Sequence, residues 1–431
     1  MALPAGLTWE VRTTGNANNG GAYIDLIPGT SVDYSQQNAS QLSITDGACL
    51  LASVTLTSVI GGFTAGMVGN VIQIRAGGAN FVAGFYTIVL FNSANSVNLD
   101  RTPVAAGNGT GGLGEVGGAL ISPETFILNG VAGNLCYVKS GNYNFTANRI
   151  FGAANIRIFG YDTARNIVPT GNNRPLIDLL TFFITTNIGT GLTFENFRFT
   201  GSAAQLLLCK GRDYVFFNCR FINTNNAGTR RCLYFDTAVI EGLAIMDCEF
   251  IGTAGADSRG IEYAGGSGGG TGNDQSPFFT FNFFHDLTYG YYVTLGDRTP
   301  AFIKNTFARM GTTSIYIINA ASNSEGILAL FNSFYSAGSY HLNLQGDIHN
   351  LVYGNTFDSA AISALRDSVA NRMWHIENND FWNNGASVVN CVLDYDNIGL
   401  DPLWVNPAGD DFNFGPGSPN IDQALGIKLG V

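Results

Sequence analysis

Tyr234, Glu262, Tyr292 and Tyr316 are spaced so that a coiled chain would bring them side by side. Aromatic faces stack on sugar rings, and a neighbouring carboxylate accepts hydrogen bonds from sugar hydroxyls. An exposed ladder of this kind more often receives a neighbouring subunit, so these four positions are expected to form a ligand-binding or interface stripe. Charged residues gather nearby, with Lys210, Arg212 and Asp213 followed by Arg230, Arg231 and Asp236. Elimination from a uronate sugar needs a Lys or Arg base beside carboxylates that hold Ca²⁺. No motif singles these residues out, and charged turn residues beside a strand account for them. Asp236 with Glu262 offers a carboxylate pair, which hydrolyses glycosides at separations of about 5–9 Å. Any repeating chain generates such pairs by repetition. Asp297, Asp347, Asp367 and Asp396 each follow a short apolar run and read as turn formers rather than a Ca²⁺ row. His285, His341, His349 and His375 share no motif with a Ser or Cys nucleophile, and no phosphate-binding or dinucleotide-binding loop is present. No catalytic residue is assigned, and neither a metal nor another cofactor is expected.

The elements that would position these groups are written in a repeated phrase. FENFRF, FFNCRF, IMDCEF, FTFNFF, FIKNTF, LALFNSF, LVYGNTF and HIENNDF end at Phe199, Phe221, Phe250, Phe284, Phe307, Phe334, Phe357 and Phe381. The intervals are 22, 29, 34, 23, 27, 23 and 24 residues, the period of a solenoid whose insertions leave the phrase intact. Two residues before each Phe stand Phe197, Cys219, Cys248, Asn282, Asn305, Asn332, Asn355 and Asn379. Five Asn at one register predict an internal amide ladder, each side chain bonding to the next coil about 4.8 Å away. Five residues before each Phe an apolar column runs from Phe194 to Ile376, as an inward strand position requires. A further strand follows in most units, at LLLCK, CLYFD, GIEYA, YYVTL, SIYII, HLNLQ, ISALR and NCVLD. Short strands joined by Gly, Asn and Asp turns describe a parallel β-helix. The missing Leu columns exclude a leucine-rich horseshoe, and the uneven period excludes a propeller.

Charged residues make up only 12% of the chain, against about 25% in typical domains. The exterior must therefore be covered by small polar residues or by other subunits. A net charge of −11 argues against nucleic-acid binding, and the four lysines draw no basic stripe. The start MALPAGLTWEVR has no signal-peptide pattern, and no apolar run nears the ~20 residues of a membrane span. Seven cysteines without metal spacing read as reduced core thiols of a protein made in cytoplasm, with Cys209/Cys232 and Cys219/Cys248 set one coil apart.

Four segments are expected. Residues 1–53 hold the strand TWEVR and a cap, and residues 54–118 a small antiparallel β-module with a Gly-rich connector at 102–118. The helix of β-strands occupies 119–400, resuming with TFILNG, LCYVKSGNY and NIRIFGYDT. A Pro/Gly/Asp-rich tail at 401–431 closes the far end. A second Gly-rich excursion, GGSGGGTGNDQSP, is expected to project from one coil.

LCYVKSGNYNF, NIRIFGYDT and DPLWVNPAGDDFNFGPGSP resemble the first coils and the closing tail of the right-handed, pectin-lyase-like parallel β-helix superfamily. TWEVRTTGNANNGGAY, DYSQQNASQL and GGFTAGMVGNVIQIR resemble β-helix virion proteins of tailed bacteriophages. That resemblance implies a homotrimeric structural protein of a virus particle, a tail spike, tail fibre or capsid decoration. Its partners would be other virion proteins and a host cell-surface glycan, without nucleic-acid binding or membrane insertion. The alternative it implies is a tailspike depolymerase, either a lyase or a glycosidase. A secreted adhesin is disfavoured by the opening residues.

Overall fold

A computed structural model describes residues 3–75, 78–187, 191–225, 228–236, 242–252, 257–264, 277–295, 299–318, 326–345, 349–367, 373–392 and 396–420. The chain is all-β, a β-solenoid of parallel sheets together with a small antiparallel module, and it divides into two compact units.

The first unit comprises residues 1–144, 149–177 and 191–197. Its parallel rungs are Thr8–Val11, Leu135–Lys139, Ile156–Tyr161 and Leu192–Glu195, with Trp9, Cys136, Ile158 and Phe194 in one column. The strand expected at TWEVR is thus the first parallel rung, and Ala22–Tyr23 pairs antiparallel along its other edge. Glu10 on this rung is fully buried, and its carboxylate accepts from Arg12 (2.9 Å), Arg165 (2.7 Å) and the Tyr161 hydroxyl. A buried carboxylate is tolerated only when so many donors replace its water.

The antiparallel module of this unit is a closed barrel of six strands. In order around the barrel these are Leu42–Cys49, Thr55–Thr57, Ser96–Leu99, Gly84–Ser93, Val71–Arg75 and Gly109–Val116. Two of them depart from the sequence reading. Leu42–Cys49 comes from the stretch read as polar cap, and Gly109–Val116 from the stretch read as Gly-rich connector. Their glycines let the walls close. A Cβ on Gly112 would lie 2.8 Å from the Phe81 ring, and one on Gly114 2.8 Å from Ile72. TFILNG also departs, forming most of the α-helix Pro123–Asn129, with the Ser122 hydroxyl accepting from the Glu124 N–H and Pro123 in the first turn.

In the second unit each repeat is a coil of three strands, as in Phe278–Thr280, Phe283–His285 and Tyr289–Leu295. Successive coils pair in parallel and build a first, second and third sheet. The phrase spans the corner between the first two. Its terminal Phe residues stack in one column from Phe199 to Phe381, with ring centroids 4.7–5.1 Å apart and planes within 11° of parallel. The amide ladder is continuous from Asn282 through Asn305, Asn332, Asn355 and Asn379, and Asn397 extends it. Each Oδ1 also accepts the backbone N–H of the ladder residue one coil before, so the ladder ties both side chain and backbone.

The residue before each ladder position is left-handed, at Asn218, Asp247, Phe281, Lys304, Phe331, Gly354 and Asn378. Asn, Asp and Gly suit that conformation, whereas Phe281, Lys304 and Phe331 each carry about 1–2 kcal/mol of strain. All seven cysteines are free thiols, six of them buried. Cys219 and Cys248 are ladder neighbours, the Cys219 N–H donating to Cys248 Sγ at 3.4 Å. Cys209 sits opposite Phe235, out of register with Cys232.

Six rungs of the first sheet, from Tyr214–Phe217 to His349–Tyr353, are largely apolar on both sides, and the next, Met373–Glu377, turns His375 and Glu377 outward. Phe216, Ile245, Phe279, Phe302, Ala329 and Val352 face the core. Val215, Ala244, Phe278, Ala301, Leu328 and Leu351 form one outward column, and Phe217, Met246, Thr280, Ile303, Leu330 and Tyr353 another.

Candidate functional site

The four residues singled out in the sequence meet on the outer side of the third sheet, within the second unit. Tyr234 opposes Glu262, Glu262 opposes Tyr292, and Tyr292 opposes Tyr316 on consecutive rungs. The row continues through Asn343 and Arg366. A second outward row, not foreseen, runs three residues earlier through Arg231, Arg259, Tyr289, Thr313 and Tyr340.

The rows interlock. Glu262 is only 4% exposed, and its carboxylate receives Arg231 Nε at 2.5 Å and Arg259 Nη1 at 2.9 Å. Arg259 lies 3.7 Å from the centroid of the Tyr292 ring, and Arg231 4.4 Å from that of Tyr234. Tyr316 stacks on Tyr292 at 5.2 Å and 23°. Tyr292 therefore has Arg259 from the coil before and Tyr316 from the coil after, and neither ring face is left for a sugar. Glu262 is likewise committed to two guanidinium groups. The stripe offers tyrosine edges and hydroxyls instead, with Gln345 Nε2 donating to the Tyr316 hydroxyl at 3.2 Å and Arg366 to that of Tyr340 at 2.9 Å.

Burial pushes the Tyr234 phenol pKa up, with Asp236 adding to the rise and Arg231 opposing it. Burial also raises Tyr292, against the opposing charge of Arg259. For Arg259 burial works downward, but the hydrogen bond to Asp257 and the charge of Glu262 outweigh it and hold the guanidinium charged. These tyrosines are neutral hydrogen-bonding groups at physiological pH, suited to binding rather than to proton abstraction.

The charged residues nominated for elimination disperse. Lys210 pairs with Asp236 at 3.7 Å, Arg231 is held by Glu262, Arg230 is buried, and Arg212 and Asp213 lie exposed at a corner. Asp236 and Glu262 each already hold a cation, so they form no free carboxylate pair. Asp297 and Asp347 lie outside the described residues, as does the side chain of His349. Asp367 is buried, accepting from Trp374 Nε1 at 3.0 Å, and Asp396 is a left-handed turn residue. Among the described residues no three His, Cys, Asp or Glu side chains are placed to hold a metal.

His341 is a core residue, its Nε2 2.9 Å from the Asp358 carbonyl, and burial pulls its pKa down to about 3. His285 differs. On the outer side of the second sheet, its Nδ1 lies 2.7 Å from Asp286 and its Nε2 3.1 Å from Glu249. Arg220 completes Glu249 at 2.8 Å, and Arg309 bridges Asp286 (2.8 Å) to Asp410 (2.7 Å). Asp410 belongs to the C-terminal segment, whose strands Trp404–Asn406 and Asp411–Phe414 pair antiparallel. Phe412 packs on Phe283 and Tyr335, and Trp404 Nε1 donates to Asp358 at 2.9 Å. Residues 404–414 thus clasp the second sheet.

Burial acts to lower the His285 pKa, but hydrogen bonds to Glu249 and Asp286 reverse it and the net shift is upward. Asp286 is held down at about 2, chiefly by Arg309. A raised His contributes stability that is complete below its ordinary value of 6.5 and is lost as pH rises through the folded value. The Asp286 contribution is complete above 3.8 and is lost as pH falls through about 2. The melting temperature of wild type over that of His285→Gln is therefore expected to be greatest between these limits. It should shrink above neutral pH in a pH series of thermal melts. A difference that grows towards alkaline pH contradicts the assignment.

No known sequence family matches the chain, and no curated protein does. Among solved structures it is similar to the tailspike protein of E. coli bacteriophage HK620, at 15% identity and a TM-score of 0.37 over 66% of this chain. The chain spans about half, 51%, of that tailspike. It is also similar to the catalytic unit of a GH87 alpha-1,3-glucanase from Streptomyces thermodiastaticus, at 11% identity and a TM-score of 0.43 over 90% of each chain. A GH87 alpha-1,3-glucanase catalytic domain in complex with nigerose matches at 10% identity and a TM-score of 0.35, over 84% of this chain and 89% of that one. Likeness at this level leaves activity to be argued from the chain's own side chains. No helix among the described residues is long and apolar enough to cross a membrane.

Proposed function

We propose that the chain is a structural protein of a bacteriophage particle, a homotrimeric β-helix that holds a binding stripe rigidly away from the particle surface. The observation that carries this is the third-sheet stripe, whose acid and cations satisfy one another and whose tyrosines present hydroxyls and edges. Such a surface binds without reacting. Parallel pairing of the third-sheet strands supplies the rigidity that keeps Tyr234, Glu262, Tyr292 and Tyr316 in line. The virion setting follows from the resemblance of the opening residues, and the ligand class from the chemistry of the stripe, a polyhydroxylated host-surface glycan. Domain limits of 119–400 for the solenoid and 401–431 for the tail belong to the same proposal.

Two measurements test it. Mass spectrometry of purified particles should find the chain in the virion. Incubation with capsular polysaccharides should yield binding but no new reducing or unsaturated ends. Tyr316→Ala is expected to weaken glycan binding about tenfold, or about 1.4 kcal/mol. Release of sugar ends that is abolished by Glu262→Gln would establish a depolymerase instead.

A further inference from the structure

We propose that copies of this chain meet through the outer side of the first sheet, between Tyr214–Phe217 and His349–Tyr353. This rests on the homotrimer reading above and names the surface for it. The three sheets of the second unit are finished in different ways. The second carries the chain's own C-terminal segment, with Phe412 on Phe283 and Trp404 on Asp358. The third carries polar groups that satisfy each other across its rungs. The first has neither covering among the described residues.

These six rungs present two outward residues each, none of them Asp, Glu, Lys or Arg, and the strip ends at the seventh rung, where the same columns carry His375 and Glu377. Phe278 is 37% and Leu351 39% exposed, while Ile303, Leu328 and Leu330 are half-buried. Parallel strands that are apolar on both sides are strands buried on both sides. Phe281 is a second, independent sign. Like Lys304 and Phe331 it holds a left-handed conformation at this corner, and although Lys304 Nζ lies 5.5 Å from its ring centroid the residue stays 56% exposed. A strained aromatic that packs so little within its own chain earns its place through what it touches outside it.

The occupant is a second copy of this chain. At a net charge of −11, copies approach most easily through an uncharged surface. The strip also runs along the stacking direction. Three parallel copies can therefore meet along one axis with every rung opposite its equivalents. Six rungs about 4.8 Å apart and about 13 Å wide give on the order of 400 Å² per copy in projection. Each copy divides this area between two neighbours, so a pair of copies buries about 400 Å² here and the strip is the apolar centre of a contact that its flanks complete.

Size-exclusion chromatography with light scattering, at micromolar protein, tests this on wild type, the double variant Ile303→Glu with Leu330→Glu, and Phe281→Asn. Circular dichroism monitors the fold. Wild type is expected to run as a trimer and the double variant as a monomer with an unchanged β spectrum. Phe281→Asn should weaken association about tenfold while raising the melting temperature of the dissociated chain. A purely structural role for the ring would not separate those two effects, and this variant decides the matter if the double variant does not fold. A trimer that survives the double variant, or association that Phe281→Asn leaves unchanged, overturns this surface and leaves the homotrimer reading intact. A wild-type monomer overturns both. Dissociation on Tyr234→Ala with Tyr316→Ala moves the contact to the third sheet and overturns the assignment.

Discussion

Replacing Phe334 by Ala is expected to cost about 3–5 kcal/mol in equilibrium denaturation, the range for emptying a buried aromatic site. The ring is fully buried and stacks between Phe307 at 5.1 Å and Phe357 at 4.7 Å. His341 lies 5.6 Å away on its flank. The neighbouring rings are held by strands whose register is fixed on both sides, Phe307 to Phe334 and Phe334 to Phe357. They cannot collapse into the vacancy, so a cavity penalty adds to the lost transfer energy. Phe334→Leu should cost much less, because it retains most of the volume. Equal loss for the two variants would mean that the column is loosely packed.

Asn332→Ala is expected to cost about 2–4 kcal/mol, although the side chain removed is small. Asn332 Oδ1 accepts both the N–H (2.8 Å) and the Nδ2 (3.0 Å) of Asn305, and its Nδ2 donates to Phe302 O and Asn355 Oδ1 at 2.9 Å each. Both Asn305 and Asn332 are buried, so the Asn305 backbone N–H is left without water or partner. Asn332→Asp discriminates a hydrogen-bond role from a packing role. It keeps the acceptor but buries an uncompensated charge, which raises its pKa in the folded state. Its destabilisation should therefore shrink as pH falls through that raised value. Thermal melts of both variants between pH 4 and 8 check this, and a pH-independent Asn332→Asp defect would contradict the ladder.

Much of the fold was legible because the repeat restates one register in every coil. The Phe and Asn columns follow from counting back from each Phe, whereas Tyr234, Glu262, Tyr292 and Tyr316 stand 13, 12, 8 and 9 residues after theirs and align through the strands CLYFD, GIEYA, YYVTL and SIYII. The barrel strand Gly109–Val116 was hidden for a physical reason. GTGGLGEV has the composition of a loop, and its glycines are there because Phe81 and Ile72 fill the space a side chain would need. Arg259 was missed as the partner of Glu262 because alternation places residues three apart on opposite sides. In Ser258–Ala264, however, Gly260 and Ile261 are both buried, which turns Arg259 and Glu262 the same way. The uncharged first-sheet face was written in VFF, AIM, AFI and LVY, but reading only the inward member of each run concealed it. The NCVLD strand did not form as expected. Val388–Val389 takes that rung, Asn390 to Val392 lie beyond it, and the last two residues of the run fall outside those described.

The rung-on-rung register underlies everything else, and engineered disulfides test it most directly. Tyr316→Cys with Asn343→Cys places the new thiols on directly opposed residues of adjacent coils, within bridging distance. Tyr316→Cys with Gln345→Cys shifts one of them two residues along the strand, to about 8 Å between Cα atoms. Oxidation followed by peptide mass spectrometry should show an intramolecular bond in the first pair and none in the second. A bond in the shifted pair, or none in the opposed pair, would contradict the stacked register.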